Sequence, residues 1–419
     1  MLDNRIVVDD PVLNGNRIEY KYSVEGDWKE AFKIDEPFYI EYSCDISGVP
    51  AGVLIIPLLA NLLPMAWVYD AEITAPVCDE DFYNSIPEFR KGYMDMYPMM
   101  SFGGKLTVKE LSKNIPTHQD GVAAFFSGGA DAFNTLTQHA GEKPTLLTIW
   151  GADVTFDDTK GWDNVFKHLK HTSRKFGVDH VVIKSCFKRF LNDGVLTKKV
   201  KKSGDGWWHG FQHGLGIISH AAPVMYAMGK KRVYIASSFT AADKGKVTCA
   251  SDPTIDNNIR FCGADVSHDG YEFNRQMKLH NIVEFSKKNK IKIPLRVCWI
   301  SKGGSNCCNC EKCFRTMLGI YAEGEDPRKY GFRYSDLQLA KLAFSMRYGT
   351  DPLFGSLRYT PIQKAMRENI RKNDLPLSVR WFYNVDLCTV NKKHSWFILA
   401  RKIYRKAKKV VRTLLVRKK

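Results

Sequence analysis

The sequence predicts an α/β protein: a doubly wound parallel sheet with a β-containing N-terminal module and a zinc knuckle. Three observations predict it. From residue 121 short apolar runs alternate with helical stretches, the grammar of strands joined through helices. The first run ends in Ser-Gly-Gly-Ala-Asp and opens directly into a helical stretch. Further on, Cys298-x8-Cys307-x2-Cys310-x2-Cys313 has the spacing of a closed metal site.

At 419 residues the chain exceeds the usual size of one domain. We expect an N-terminal α+β module over residues 1–117. A central α/β domain over 118–330 carries the loop and the cysteines, and a helical segment with a basic tail fills 331–419. Hydrophobic residues make up 44% and charged residues 26%, enough apolar area for a substantial core. The opening MLDNRIVVDDPVLNGN is polar and acidic with no apolar run, so it does not read as a secretory leader.

Within the N-terminal module, alternation over 17–24 and 38–42 predicts strands. The apolar run 51–69 is long enough to cross a bilayer, yet Pro57, Pro64 and Asn61 argue against a span. It reads instead as a buried strand over 52–56 leading into a short buried helix. No catalytic constellation stands out before residue 118.

In the central domain, strands are expected at 121–126, 145–150, 180–184 and 232–236. Helices are expected at 132–139, 161–176 and 209–228.

The loop has a specific physical use. Gly128 and Gly129 allow a tight turn and a close approach of backbone to ligand. The N–H groups that open the following helix favour an anion, with Ser127 adding a hydroxyl. Asp131 suits a magnesium ligand or a cap on the loop. The competing reading is a plain Gly-Gly turn between strand and helix. Neither GxxxxGK[ST] nor a GxGxxG after a strand is present.

SGGAD after an apolar strand resembles the loop of the PP-loop ATP pyrophosphatases. That resemblance implies an adenine nucleotide alpha hydrolase-like fold and ATP held by its pyrophosphate on Ser127, Gly128, Gly129, Ala130 and Asp131. Asp131 and Ser127 become the catalytic candidates, with Mg2+ at the phosphates. In the family a Ser or Thr follows the Asp, whereas this chain has Ala132, so one hydroxyl contact is absent.

Eleven cysteines are many for a cytosolic protein, but five of them fall between Cys298 and Cys313. Cys298, Cys307, Cys310 and Cys313 would supply four thiolates to one Zn2+, with Cys308 as the spare. Buried free thiols and redox-active thiols are the alternatives. Lys302, Lys312 and Arg315 would offset the charge of a tetrathiolate. The pattern indicates a reducing, cytoplasmic setting. The same spacing after SGGxD is similar to the zinc motif of the 7-cyano-7-deazaguanine synthases, over roughly residues 120–320. That likeness implies adenylation of a small-molecule carboxylate, followed by amide or nitrile formation with an ammonia or amine donor.

Other candidates follow from position. His209, Gln212 and His213 share a face at a helix start, either contacting substrate or packing beside Trp207 and Trp208. Ser237, Ser238 and Asp243 follow a strand end, Asp252 lies in the next loop, and Gly151 and Asp153 follow the second strand, suited to adenosine. His268 and Asp269 in an SHDG turn are weaker candidates.

The net charge of +17 is concentrated: residues 401–419 hold ten Lys/Arg and no acid, leaving +7 for the rest. The tail's amphipathic pattern fits a peripheral helix on an anionic membrane or a helix packed on the protein, ahead of a nucleic-acid contact. Two other functions stay open beside the AMP-forming enzyme. One is a PP-loop RNA sulfurtransferase; the other is a non-catalytic nucleotide-binding component of a multi-gene system.

Overall fold

A computed structural model of the chain describes residues 4–33, 35–298, 303–348 and 354–388. The basic tail and Lys302 lie outside the described residues. The chain packs as two compact units: residues 1–127 with 131–273, and residues 128–130 with the chain from 274 onward.

In the first unit the strands are β1 (Arg5–Val8), β2 (Val12–Asn14), β3 (Arg17–Tyr20), β4 (Tyr22–Glu25), β5 (Phe38–Tyr42), β6 (Glu72–Asp79) and β7 (Lys105–Ser112). They continue with β8 (Val122–Phe125), β9 (Thr145–Trp150), β10 (His180–Ser185), β11 (Arg232–Ala236), β12 (Arg260–Phe261) and β13 (Ala264–Asp269). A nine-stranded sheet has the order β12-β13-β11-β8-β9-β10-β5-β3-β2. Its five central neighbours, β13 to β10, pair in parallel. A smaller sheet has the order β4-β1-β6-β7.

The N-terminal segment therefore shares the central sheet. β5 pairs antiparallel with β10, placing Ile183 opposite Tyr42, and β3 and β2 extend that edge. Burial fixes this register: Phe38, Ile40 and Tyr42 alternate inward, and the Phe38 ring stacks on Phe190 at 4.6 Å.

The run expected to begin as a strand is helical throughout, as Ala51–Leu54 and then Ile56–Tyr69. Pro57 lies in the first turn of the second helix, where its missing N–H costs nothing. Buried Asn61 is satisfied: its Nδ2 donates to Pro57 O at 2.8 Å and its Oδ1 accepts from Gln212 Nε2 at 2.8 Å. Among the described residues, no helix is long and apolar enough to cross a membrane.

The expected long helix at 209–228 is broken into pieces. A π-turn at Trp208–Gln212 precedes the helices His213–Ile218 and Ala222–Ala227, with a 3-10 turn between them. Close packing explains the glycines in this segment. A Cβ on Gly214 would sit 2.3 Å from Ala250 O, and Pro223 opens the last helix afresh.

In the second unit, helix Arg275–Asn289 packs with Glu311–Ala322, which also meets Ser356–Asn369. Gly319 permits the first of these approaches, since a Cβ there would lie 2.4 Å from Leu279 Cδ1.

Candidate functional site

The loop between β8 and the helix Ala130–Gln138 is short and shaped by glycine. Gly128 has φ 77°, a left-handed conformation that disfavours side chains. Its carbonyl accepts from Arg296 N at 2.7 Å, within the second unit. Ser127 is exposed and Asp131 lies in the first helical turn, partly exposed. Ala130 and Ala132 are both buried.

The loops after β9 and β10 meet. Gly151 has φ 109°, and a Cβ there would lie 2.0 Å from Ser185 O, so no other residue fits. Asp153 is exposed beyond it. Lys188 lies 3.8 Å above the Trp208 ring and donates to Ala152 O at 3.3 Å. Burial pushes the Lys188 ammonium below its ordinary range, while Asp153 and Asp193 oppose that shift.

The π-turn separates three residues expected on one face. His209 is exposed, with Nδ1 3.2 Å from Asp205 Oδ1. Gln212 turns into the core and bonds Asn61 and the Phe187 carbonyl, a structural role. His213 packs edge-on to Trp208, its Nδ1 3.8 Å from Cys249 Sγ. Desolvation pushes His213 down to about 4 despite the opposing Asp153, so it is neutral at pH 7. Burial pushes the Cys249 thiol up to about 12.

The candidates after β11 have local duties. Ser237 is buried and its hydroxyl donates to Phe239 O at 2.7 Å, bracing the turn; Ser238 is exposed. The Asp243 carboxylate accepts from Thr240 N and Oγ1, both at 2.9 Å. Asp252 caps the helix Pro253–Asp256 by accepting from Thr254 N at 2.9 Å. Asp243 and Asp252 nevertheless line one cavity together with Phe239, Cys249, His268 and Tyr271.

His268 belongs to β13 rather than to a turn. Its Nδ1 is 2.8 Å from Asp256 Oδ2, which also accepts from Ser251 Oγ at 2.7 Å. Asp256 is fully buried, and burial raises its carboxyl while His268 works against that shift. Asp269, at the strand end, accepts from Thr135 Oγ1 at 2.6 Å and meets His139. Sequence reasoning missed Asp256, Cys249 and Lys188. Each is brought to its partner by tertiary folding, with no spacing signal to reveal it.

In the second unit, the sulfurs of Cys298, Cys307, Cys310 and Cys313 all lie within 4.8 Å of one another. Cys298–Cys310 and Cys307–Cys313 are separated by 3.9 and 4.0 Å. A tetrahedral zinc with bonds of about 2.3 Å sets its sulfurs about 3.8 Å apart, so the four thiols could hold zinc. Cys310 starts the helix Glu311–Ala322. The Cys313 thiol and nearby donors pull Cys310 down to about 5, while burial pushes Cys307 up to about 12. Cys308, with φ 49°, points its thiol at Asn306 O and stays outside the set.

No protein-family model, curated protein or solved structure matches this chain.

Proposed function

We propose that the chain is an ATP-dependent, AMP-forming enzyme that adenylates a carboxylate for amide or nitrile formation. The observation that carries this reading is where the SGGAD loop falls. β8 has β9 on one side and β11 on the other, so the order β10-β9-β8-β11-β13 reverses at β8. In open parallel sheets, ligands bind beyond the carboxyl ends of the strands at such a reversal. The loop leaves β8 at that end, with a positive-φ glycine before a helix start, which suits a pyrophosphate.

In this reading Ser127, Gly128, Gly129 and Ala130 hold the phosphates, Asp131 holds magnesium, and Gly151 and Asp153 flank the adenosine. Bound magnesium would neutralise phosphate charge as pyrophosphate leaves. Zinc on the four cysteines would be structural, since a four-thiolate shell leaves no open position.

The test is calorimetric titration of Mg·ATP into the full chain, wild type beside Asp131→Ala and Gly128→Val. Binding that both substitutions weaken at least about tenfold supports the reading. No heat from wild type at millimolar ATP overturns it.

A further inference from the structure

We propose that the cavity beyond β11 and β13 binds a cationic amine, and that His268, oriented by Asp256, takes its proton. The proposal deepens the adenylation reading and rests on it for the acyl partner. It commits to nitrogen as the nucleophile.

The geometry is that of a held base. Asp256 is fully buried, and its Oδ2 receives Ser251 and the His268 ring. The His268 backbone N–H is fixed by Asn257 Oδ1 at 2.7 Å, and Tyr271 packs edge-on to the ring at 5.7 Å. Asp256 Oδ2 stands as the acceptor beside Nδ1, which places the ring proton of the base form on Nδ1. Nε2 then carries the lone pair, and His268 lines the cavity with its side chain only 2% exposed.

The cavity suits an ammonium group. Asp243 and Asp252 line it with two carboxylates against Lys244, and the aromatic residues Phe239 and Tyr271 complete the lining. β13 lies two strands from β8, about 10 Å at ordinary strand spacing, a span that a small acyl group can bridge.

The chemistry balances without a further reactant. R–NH3+ gives one proton to Nε2, which passes it to water. The freed lone pair attacks the acyl carbon, and a C–N bond forms. The nitrogen's second proton leaves by the same route. The C–O bond to the adenylate breaks, with its electron pair leaving on the AMP phosphate. General-base help of this kind is worth about 10²–10⁴ in rate.

The probe is methylammonium chloride, titrated into full-length chain with 15N-labelled histidines and followed by NMR against equal sodium chloride. His268→Gln identifies the His268 ring signals by their loss. We expect those signals to shift saturably with methylammonium alone. In the Asp243→Asn/Asp252→Asn double variant, with melting temperature and ATP binding measured as controls for folding, the midpoint should rise at least about tenfold. Asp256→Asn should move the neutral-ring proton from Nδ1 to Nε2, a signature that loss of packing alone would not give. Equal shifts with sodium chloride, or a wild-type proton on Nε2, overturn the proposal. Methylammonium binding in a chain that binds no ATP would support the amine site and sink the adenylation reading separately.

Discussion

His139 Nε2 lies 2.8 Å from Asp269 Oδ1, while Nδ1 of the same ring lies 2.6 Å from Glu142 Oε1. The ring stacks on Tyr234 at 3.9 Å, and the Tyr234 hydroxyl donates to Glu142. One imidazolium thus ties the end of the helix Ala130–Gln138 to β11 and β13. Its pKa is raised chiefly by the hydrogen bond to Asp269, with burial acting against it.

The sign of the resulting pH dependence follows. The folded chain holds this proton more tightly than the unfolded chain, whose histidine titrates near about 6.5. The stabilisation is fully present below that value and is lost as pH rises through the raised folded value. Thermal melts from pH 6 upward should show wild type losing stability faster than His139→Gln. Parallel curves would remove His139 from the account.

Gln212→Leu should destabilise the first unit by about 1–3 kcal/mol, because Asn61 Oδ1 would lose its buried donor. Mg·ATP affinity, normalised to folded protein, should be unchanged. Urea unfolding beside calorimetry separates the two effects. A specific loss of nucleotide binding at full stability would return Gln212 to the site.

Gly151→Ala should be poorly tolerated. The added methyl meets Ser185 O at 2.0 Å, and φ 109° is strained for any side chain. We expect a loss of at least about 2 kcal/mol in the same unfolding assay. A variant as stable as wild type would mean that the β9 and β10 loops move apart at little cost.

Local signals carried much of the fold. The strands at Phe38–Tyr42, Thr145–Trp150 and Arg232–Ala236 have the bounds expected of them, the first from its alternation and the other two as short apolar runs between helical stretches. The four cysteines were legible because all lie between residues 298 and 313. Illegible were the pairings made at long range. Nothing in the sequence joins β5 to β10 or aims Asp256 at His268. The π-turn at Trp208–Gln212 defeated a 3.6-residue reading, since one extra residue per turn rotates Gln212 into the core. Pro57 likewise looked like a break and is a helix start.

The cysteine set makes the sharpest stability prediction. Protein purified with zinc should carry about one equivalent by elemental analysis, as one tetrahedral site requires. Cys310→Ser should lower that content most clearly, because it removes a ligand at the start of the helix Glu311–Ala322. Chelation should loosen the second unit, read as faster amide exchange along that helix, while exchange in β8 to β11 stays unchanged. Cys308→Ala should keep its zinc, since that thiol points at Asn306 O and stands outside the tetrahedron. Zinc lost from Cys308→Ala but kept in Cys307→Ala would reassign the ligand and redraw the turn between them.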